Sequence, residues 1–205
     1  MTFPPKFFIT GTDTNIGKTV VSALLTLGLG YAYWKPVQSG LIPITDTEFI
    51  RSATGLDSSY FIPERYCLTQ PLSPHAAAKI DGVEIILSDF QLPETDKPGL
   101  IVEGAGGLMV PLNDQDLMID LIRSLNLPVC LVTRSTLGTI NHTLMSIAIL
   151  RHAKIPILGV IINGQKNQSN REAIAHYGKV PILAELEPLT TITPETLKTA
   201  FQQLF

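Results

Sequence analysis

Cysteine is scarce in this sequence and basic clusters are missing from it. Only two cysteines occur among 205 residues, Cys67 and Cys130, far apart and without C-x-x-C spacing. That argues against a metal cage or a redox dithiol and for reduced, structural thiols, as expected of a cytoplasmic protein. No run of lysines or arginines appears and the formal net charge is −3, so the electrostatic footprint of a nucleic-acid binder is lacking. No apolar run reaches bilayer-spanning length, and the opening MTFPPKFF has neither the basic region nor the long apolar stretch of a signal peptide. Nucleic acid and membrane are not expected partners. Apolar residues, by contrast, make up 45% of the chain. At this length they can bury on the order of 70% of the unfolded surface, in what reads as a single domain over 1–205.

The stretch Lys6–Val20, KFFITGTDTNIGKTV, carries the strongest local signal. Phe7, Phe8 and Ile9 read as a buried strand, Gly11 to Gly17 as a loop needing unusual backbone angles, and Lys18-Thr19 as the opening of an apolar helix. That order is a phosphate-binding loop. Its backbone N–H groups and the positive end of the following helix point at one anion, the lysine adds charge, and the hydroxyl reaches magnesium. Thr14, Asn15, Ile16, Gly17, Lys18, Thr19 and Val20 are accordingly candidate nucleotide contacts. Five residues separate Gly11 from Gly17 where the pattern has four, so either Thr12 takes the first glycine's place or the loop is one residue longer.

Downstream, short apolar strands alternate with helices. Helices are expected over 20–29, with Gly28 and Gly30 as its stop, from Thr45-Asp46-Thr47-Glu48, and over 76–80, 83–90, 116–125, 169–177 and 194–204; another follows Gly138. Strands are expected over 31–34, 66–68, 99–102, 128–133, 157–162 and 180–183, with little else placed between 52 and 72. Such alternation implies an α/β fold with a doubly wound, mainly parallel sheet flanked by helices.

Several polar groups fall where that fold presents ligands, at strand carboxyl ends or helix amino ends. Lys35 ends a strand before Pro36, and is either a second positive charge opposite Lys18 or a solvated surface lysine; Val37-Gln38-Ser39-Gly40 after it reads as a binding loop. Asp46 is either a first-turn acid or a metal-facing carboxylate. Glu103, after a central strand, stands where phosphate-loop proteins place their second magnesium group, and the glycines Gly104, Gly106 and Gly107 let backbone approach a ligand. Gly138, Thr139, Ile140 and Asn141 begin a helix whose free N–H groups suit a carboxylate, unless Thr139 or Asn141 simply caps it. Asn163 offers both donor and acceptor to a purine edge or else sits in a turn. His75, in Ser73-Pro74-His75, either bonds a nearby carbonyl or touches ligand.

GTDTNIGKT, KPVQSG, SPH, VEGAGG and LGTINH, in this order and rough spacing over 9–163, resemble dethiobiotin synthase. The resemblance implies a phosphate-loop NTPase fold and a homodimer that uses ATP and magnesium to join carbon dioxide to 7,8-diaminopelargonic acid. One amine becomes a carbamate, ATP phosphorylates it, and the second amine displaces phosphate to close the ureido ring of dethiobiotin. On this chain it implies that the loop with Lys18 holds the phosphates, that Thr19, Asp46 and Glu103 hold magnesium, and that Lys35 steadies carbamate and phosphoryl group. Lys18 and Lys35 would then be the catalytic residues, with Gly106 and Asn163 at the nucleotide. Ser39 would contact substrate, whose carboxylate would meet the partner subunit's helix start at 138–141. The family's Gly-x-Ile-Pro after its last strand, near the adenine, is replaced by Ala184-Glu185-Leu186-Glu187, which leaves Asn163 as the base contact. A partitioning-type ATPase, the main competing reading, usually carries an extra lysine early in the loop, and 12–16 contains none.

Overall fold

The computed structural model describes residues 2–205. In chain order the elements are β1 (Lys6–Gly11), α1 (Lys18–Leu29), β2 (Ala32–Trp34), β3 (Val37–Ser39), α2 (Asp46–Thr54), β4 (Phe61–Ile62), β5 (Tyr66–Leu68), α3 (Pro74–Asp81) and β6 (Leu100–Gly107). They continue with α4 (Met118–Leu125), β7 (Val129–Arg134), α5 (Thr139–His152), β8 (Ile157–Asn163), α6 (Gln168–Gly178), β9 (Ile182–Leu186) and α7 (Pro194–Leu204). Seven strands form one sheet in the order β4-β2-β6-β1-β7-β8-β9, every pairing parallel. From β1 the chain first builds to one side, through β2 and β4 back to β6, then crosses to build β7, β8 and β9 on the other. That reversal beside β1 opens the crevice where such sheets bind ligands.

Period-two alternation sends neighbouring strand residues to opposite faces. Phe7, Ile9, Tyr33, Ile101 and Val132 join the core beneath α1, α2 and α7, while Phe8, Trp34, Val102 and Leu131 join the core beneath α4, α5 and α6. Both faces are therefore covered, which is why the strands read as continuous apolar runs. Among the described residues no helix is long and apolar enough to cross a membrane.

Several expectations need correction. No helix covers 83–90: only a single 3-10 turn forms at Leu87–Asp89. The stretch Val83 to Ile86, β-branched at three of its four positions, is held out of a helix, Ile85 buried, its carbonyl accepting from Asn113 and the Ile86 N–H donating to the Tyr66 hydroxyl. Val37–Ser39 is a strand rather than a loop, because it finds a parallel partner in β5 in a separate two-stranded sheet. Gly28 lies inside α1; a Cβ there would come within 2.1 Å of the Phe201 ring, so it serves close packing with α7 and only Gly30 ends the helix. β6 runs on through Glu103 and its glycines to Gly107, so Glu103 is a strand residue, opposite Ile9. β9 lies later than expected, and Ala184–Leu186 are strand residues in register with β8 rather than a segment after the last strand.

Candidate active site

The phosphate loop opens after Thr12, whose N–H still donates to the Val132 carbonyl (3.0 Å), so Thr12 takes the place of the first glycine and Gly11 belongs to the strand. The loop closes at Gly17, with φ of 89°, in contact with the Asn163 amide; a Cβ there would lie 2.0 Å from Asn163 Nδ2. Asn163 in turn donates to the Ile16 carbonyl at 2.9 Å. In this structure Asn163 braces the loop, and Ile16 turns its side chain into the core. Lys18 Nζ lies across the loop and donates to the Asp13 carbonyl at 2.9 Å.

Around the first turn of α1 three elements converge. Thr19 Oγ1 donates to Asp46 Oδ1 at 3.0 Å and lies 3.3 Å from Glu103 Oε1. Lys35 Nζ donates to the same Glu103 oxygen at 3.0 Å and pairs with Asp46 Oδ2. Lys35 is only 4% exposed, which removes the reading as a surface lysine. Glu103, wholly buried, also accepts from Ser22 and Tyr33. Strand pairing explains the gathering: Tyr33 lies opposite Ile101 and Trp34 opposite Val102, so the next residue on that face, Lys35, arrives beside Glu103. Asp46 is the first residue of α2, but Thr45 forms the cap, in a reciprocal pair with Glu48, and leaves the Asp46 carboxylate free to face the site. Gln38 Oε1 accepts from the Asp46 N–H at 3.2 Å.

Burial pushes the Lys18 ammonium down to about 8, although Glu103 opposes the shift. Burial acts on Lys35 in the same direction, but Glu103 and Asp46 outweigh it and the pKa is raised. Lys35 likewise overcomes the burial of Asp46 and holds its carboxyl below the usual range. Tyr33, buried beside Glu103, keeps its proton well beyond its ordinary range.

Lys18, Lys35, Asp46 and Glu103 border a cavity of about 910 Å³, while Tyr33 lies behind its wall. Thr14, Asn15, Gly17, Lys18, Thr19, Val20, Lys35, Ser39, Asp46, Glu103 and Gly106 all border it. Among the described residues the buried Ser39 hydroxyl has no hydrogen-bond partner. Gly106 has a φ of 67° and Val110 crowds its Cβ position, so its glycine character serves the turn as well as the cavity. His75 lies outside, its ring against the Ser73 hydroxyl rather than a carbonyl. Gly138, Thr139, Ile140 and Asn141 do not line the cavity of their own chain. Gly138 itself is the N-cap of α5, without a side-chain cap; the Thr139 hydroxyl is engaged by Thr133 and the Arg134 carbonyl.

Ser22, Tyr33 and Thr133 went unmarked in the sequence. Ser22 had a usable signal, three residues after Thr19 and so on the same helix face. Thr133 had none: it gathers the hydroxyls of Thr12, just past β1, and of Thr139 and Thr143 on α5, at 3.2, 2.8 and 2.8 Å.

Comparison with known proteins agrees with the geometry. The family model described as AAA domain matches residues 5–196. The ATP-dependent dethiobiotin synthetase BioD of Paramagnetospirillum magneticum is 50% identical over 190 residues, covering 93% of this chain and 91% of that protein. The chain belongs to the dethiobiotin synthetase family. Synthetases of the same name from Lawsonia intracellularis (49% identical, 94% and 93% covered) and Brucella ovis (46%, 98% and 94%) align over nearly their whole lengths. Among solved structures, the septum site-determining protein MinD of Pyrococcus horikoshii superposes with a TM-score of 0.58 at 17% identity, covering 95% of this chain and 86% of that one. A ParA family ATPase from Chlorobium tepidum gives 0.51 at 12%, with 98% and 90% covered. These two establish that the synthetase shares the fold of phosphate-loop ATPases.

Oxygen donors alone make up the Thr19, Asp46 and Glu103 set, and the Thr19 hydroxyl lies within 3.3 Å of both carboxylates. That chemistry fits a hard divalent cation such as magnesium. Among the described residues no group of three or more His, Cys, Asp or Glu could hold a metal by itself. Two carboxylates and a hydroxyl leave coordination positions for phosphate oxygens and water, as magnesium sites at nucleotides require.

Proposed function

We propose that this chain works as one phosphate-loop unit over 1–205 and acts as an ATP-dependent dethiobiotin synthetase of biotin biosynthesis, on 7,8-diaminopelargonic acid, carbon dioxide and ATP. The observation that carries the reading is the meeting of two lysines, two carboxylates and a hydroxyl at the end of β1 and the start of α1. Phosphoryl transfer needs positioned positive charge around equatorial oxygens and no side-chain nucleophile.

In this reading the loop N–H groups of 14–20 and Lys18 bind the ATP phosphates. Thr19, Asp46 and Glu103 would hold magnesium, which would supply charge neutralisation. Lys35 orients the substrate carbamate, formed when one amine adds to carbon dioxide and loses a proton. A carbamate oxygen attacks the γ-phosphorus and ADP leaves; Lys18 and Lys35 neutralise the charge that spreads over the moving group. The second amine then attacks the carbamoyl carbon, inorganic phosphate leaves, and the ureido ring closes. Ser39, whose hydroxyl borders the cavity, is suited to a substrate amine, Gly106 to close approach of nucleotide, and Asn163, through its amide, to the base.

Because 138–141 do not line the cavity of their own chain, we infer a homodimer in which the partner's α5 start receives the substrate carboxylate. The deciding experiment mixes protein, ATP, magnesium, bicarbonate and diaminopelargonic acid and follows product by mass spectrometry. Dethiobiotin is expected in step with ADP. ATP turnover that ignores the diamine would overturn the reading.

A further inference from the structure

Glu103 is gripped from behind. Its Oε2 accepts from Ser22 Oγ at 2.6 Å and from the Tyr33 hydroxyl at 3.1 Å, while Oε1 faces Lys35 Nζ at 3.0 Å and Thr19 Oγ1 at 3.3 Å. We propose that Tyr33 and Ser22 are positioning residues for the reaction, occupying Oε2 so that Glu103 presents one fixed oxygen, Oε1, to the cation and Lys35. This rests on the assignment of Glu103 to the cation above.

A carboxylate has about four acceptor directions and a broad final torsion, so an unrestrained Glu103 would interconvert between one- and two-oxygen binding. Two donors on Oε2 remove that freedom. Both come from rigid elements that also supply the chemistry. Tyr33 lies in β2 and Lys35 directly follows its end, two residues on and therefore on the same side. Ser22 follows Lys18 by one turn of α1. The same stretch of chain and the same helix thus carry a reacting cation or hydroxyl and, one repeat away, the donor that aims its carboxylate. Burial points the same way: Tyr33 is fully buried, and among the described residues Glu103 is the one partner its hydroxyl has. Donors behind a metal ligand orient it and tune its affinity, and their loss commonly costs tenfold or more.

The test uses Tyr33→Phe and Ser22→Ala, which remove one donor each at nearly constant volume, and Glu103→Gln for reference. Manganese(II) binding is titrated by electron paramagnetic resonance in the presence of a non-hydrolysable ATP analogue, alongside the KM for the diamine and the thermal midpoint. Each single variant is expected to weaken manganese binding about three- to tenfold and the double variant tenfold or more, with diamine KM within twofold of wild type. On the Glu103→Gln background, Tyr33→Phe is expected to have no further effect on manganese. Wild-type manganese affinity in both single variants, with Glu103→Gln impaired, overturns the positioning role alone. If Glu103→Gln also binds manganese normally, the cation assignment falls and this proposal with it. A uniform loss of manganese, diamine and thermal stability in both variants would make the two hydroxyls structural and equally overturn it.

Discussion

Lys18 and Lys35 share one cavity but are held at opposite ends of the lysine range. Lys18, at about 8, is poorly compensated: burial lowers it and its nearest acceptor is a carbonyl. Its folded pKa lies below the ordinary 10.5, so the unfolded chain binds more protons between those values and this group's contribution to stability rises with pH there. Bound phosphates would restore its charge. Nucleotide binding is therefore expected to take up a proton above about pH 8, and affinity to fall as pH rises past that point. Calorimetry in buffers of different ionisation enthalpy at pH 8.5 should show this uptake, and Lys18→Ala should abolish it. For Lys35 the expectation concerns the chemical step. The carbamate and moving phosphoryl develop their charge only after binding, so Lys35→Gln should lower kcat about 100-fold or more, roughly 3 kcal/mol. Affinity for an ATP analogue should stay within threefold. Equal losses in both would reduce Lys35 to a nucleotide contact.

At the level of elements, α1 shows how packing overrides local preference. Alanine forms helix better than glycine by about 1 kcal/mol, yet a Cβ at Gly28 would enter the Phe201 ring. Gly28→Ala is expected to destabilise the fold by about 1–3 kcal/mol in urea unfolding, and Phe201→Leu to recover part of that in the double variant. A stabilised Gly28→Ala would mean that α7 yields easily. Most elements were readable because parallel strands buried on both faces are continuous apolar runs and amphipathic helices repeat every three to four residues. Where reading failed, the cause was non-local. Nothing near Val37–Ser39 announces a strand, because its partner, β5, starts 27 residues after β3 ends. Val83 to Phe90 has the apolar content of a helix, but contacts of Ile85 and Ile86 with Asn113 and Tyr66 hold its first half out of one, and only a 3-10 turn follows at Leu87–Asp89.

For the whole molecule, the inferred dimer gives a test that separates nucleotide from substrate chemistry. Leu137 is 98% exposed and Met145 52%, both beside or on α5. Met145→Glu is expected to give monomers in sedimentation equilibrium that still bind an ATP analogue but have lost diamine-dependent turnover. A dimeric, active Met145→Glu enzyme would place the interface elsewhere.

The sequence alone determined the parallel α/β alternation, the phosphate loop and the identity of Lys18, Lys35, Asp46 and Glu103 as candidates, since each of these lies in a short contiguous pattern with a local physical cause. What it left open were choices between a surface lysine and a buried one at 35, between a helix-end acid and a site-facing one at 46, and the place of the loop's extra residue. Only tertiary structure decided these. Parallel pairing of β2 with β6 sets Lys35 beside Glu103, the Thr45 cap releases Asp46, and the Val132 carbonyl holds Thr12 at the end of the strand. The same pairing brings Tyr33 to Glu103 across 70 positions. No local pattern encodes such a meeting, because register between distant strands is set by how whole faces bury together.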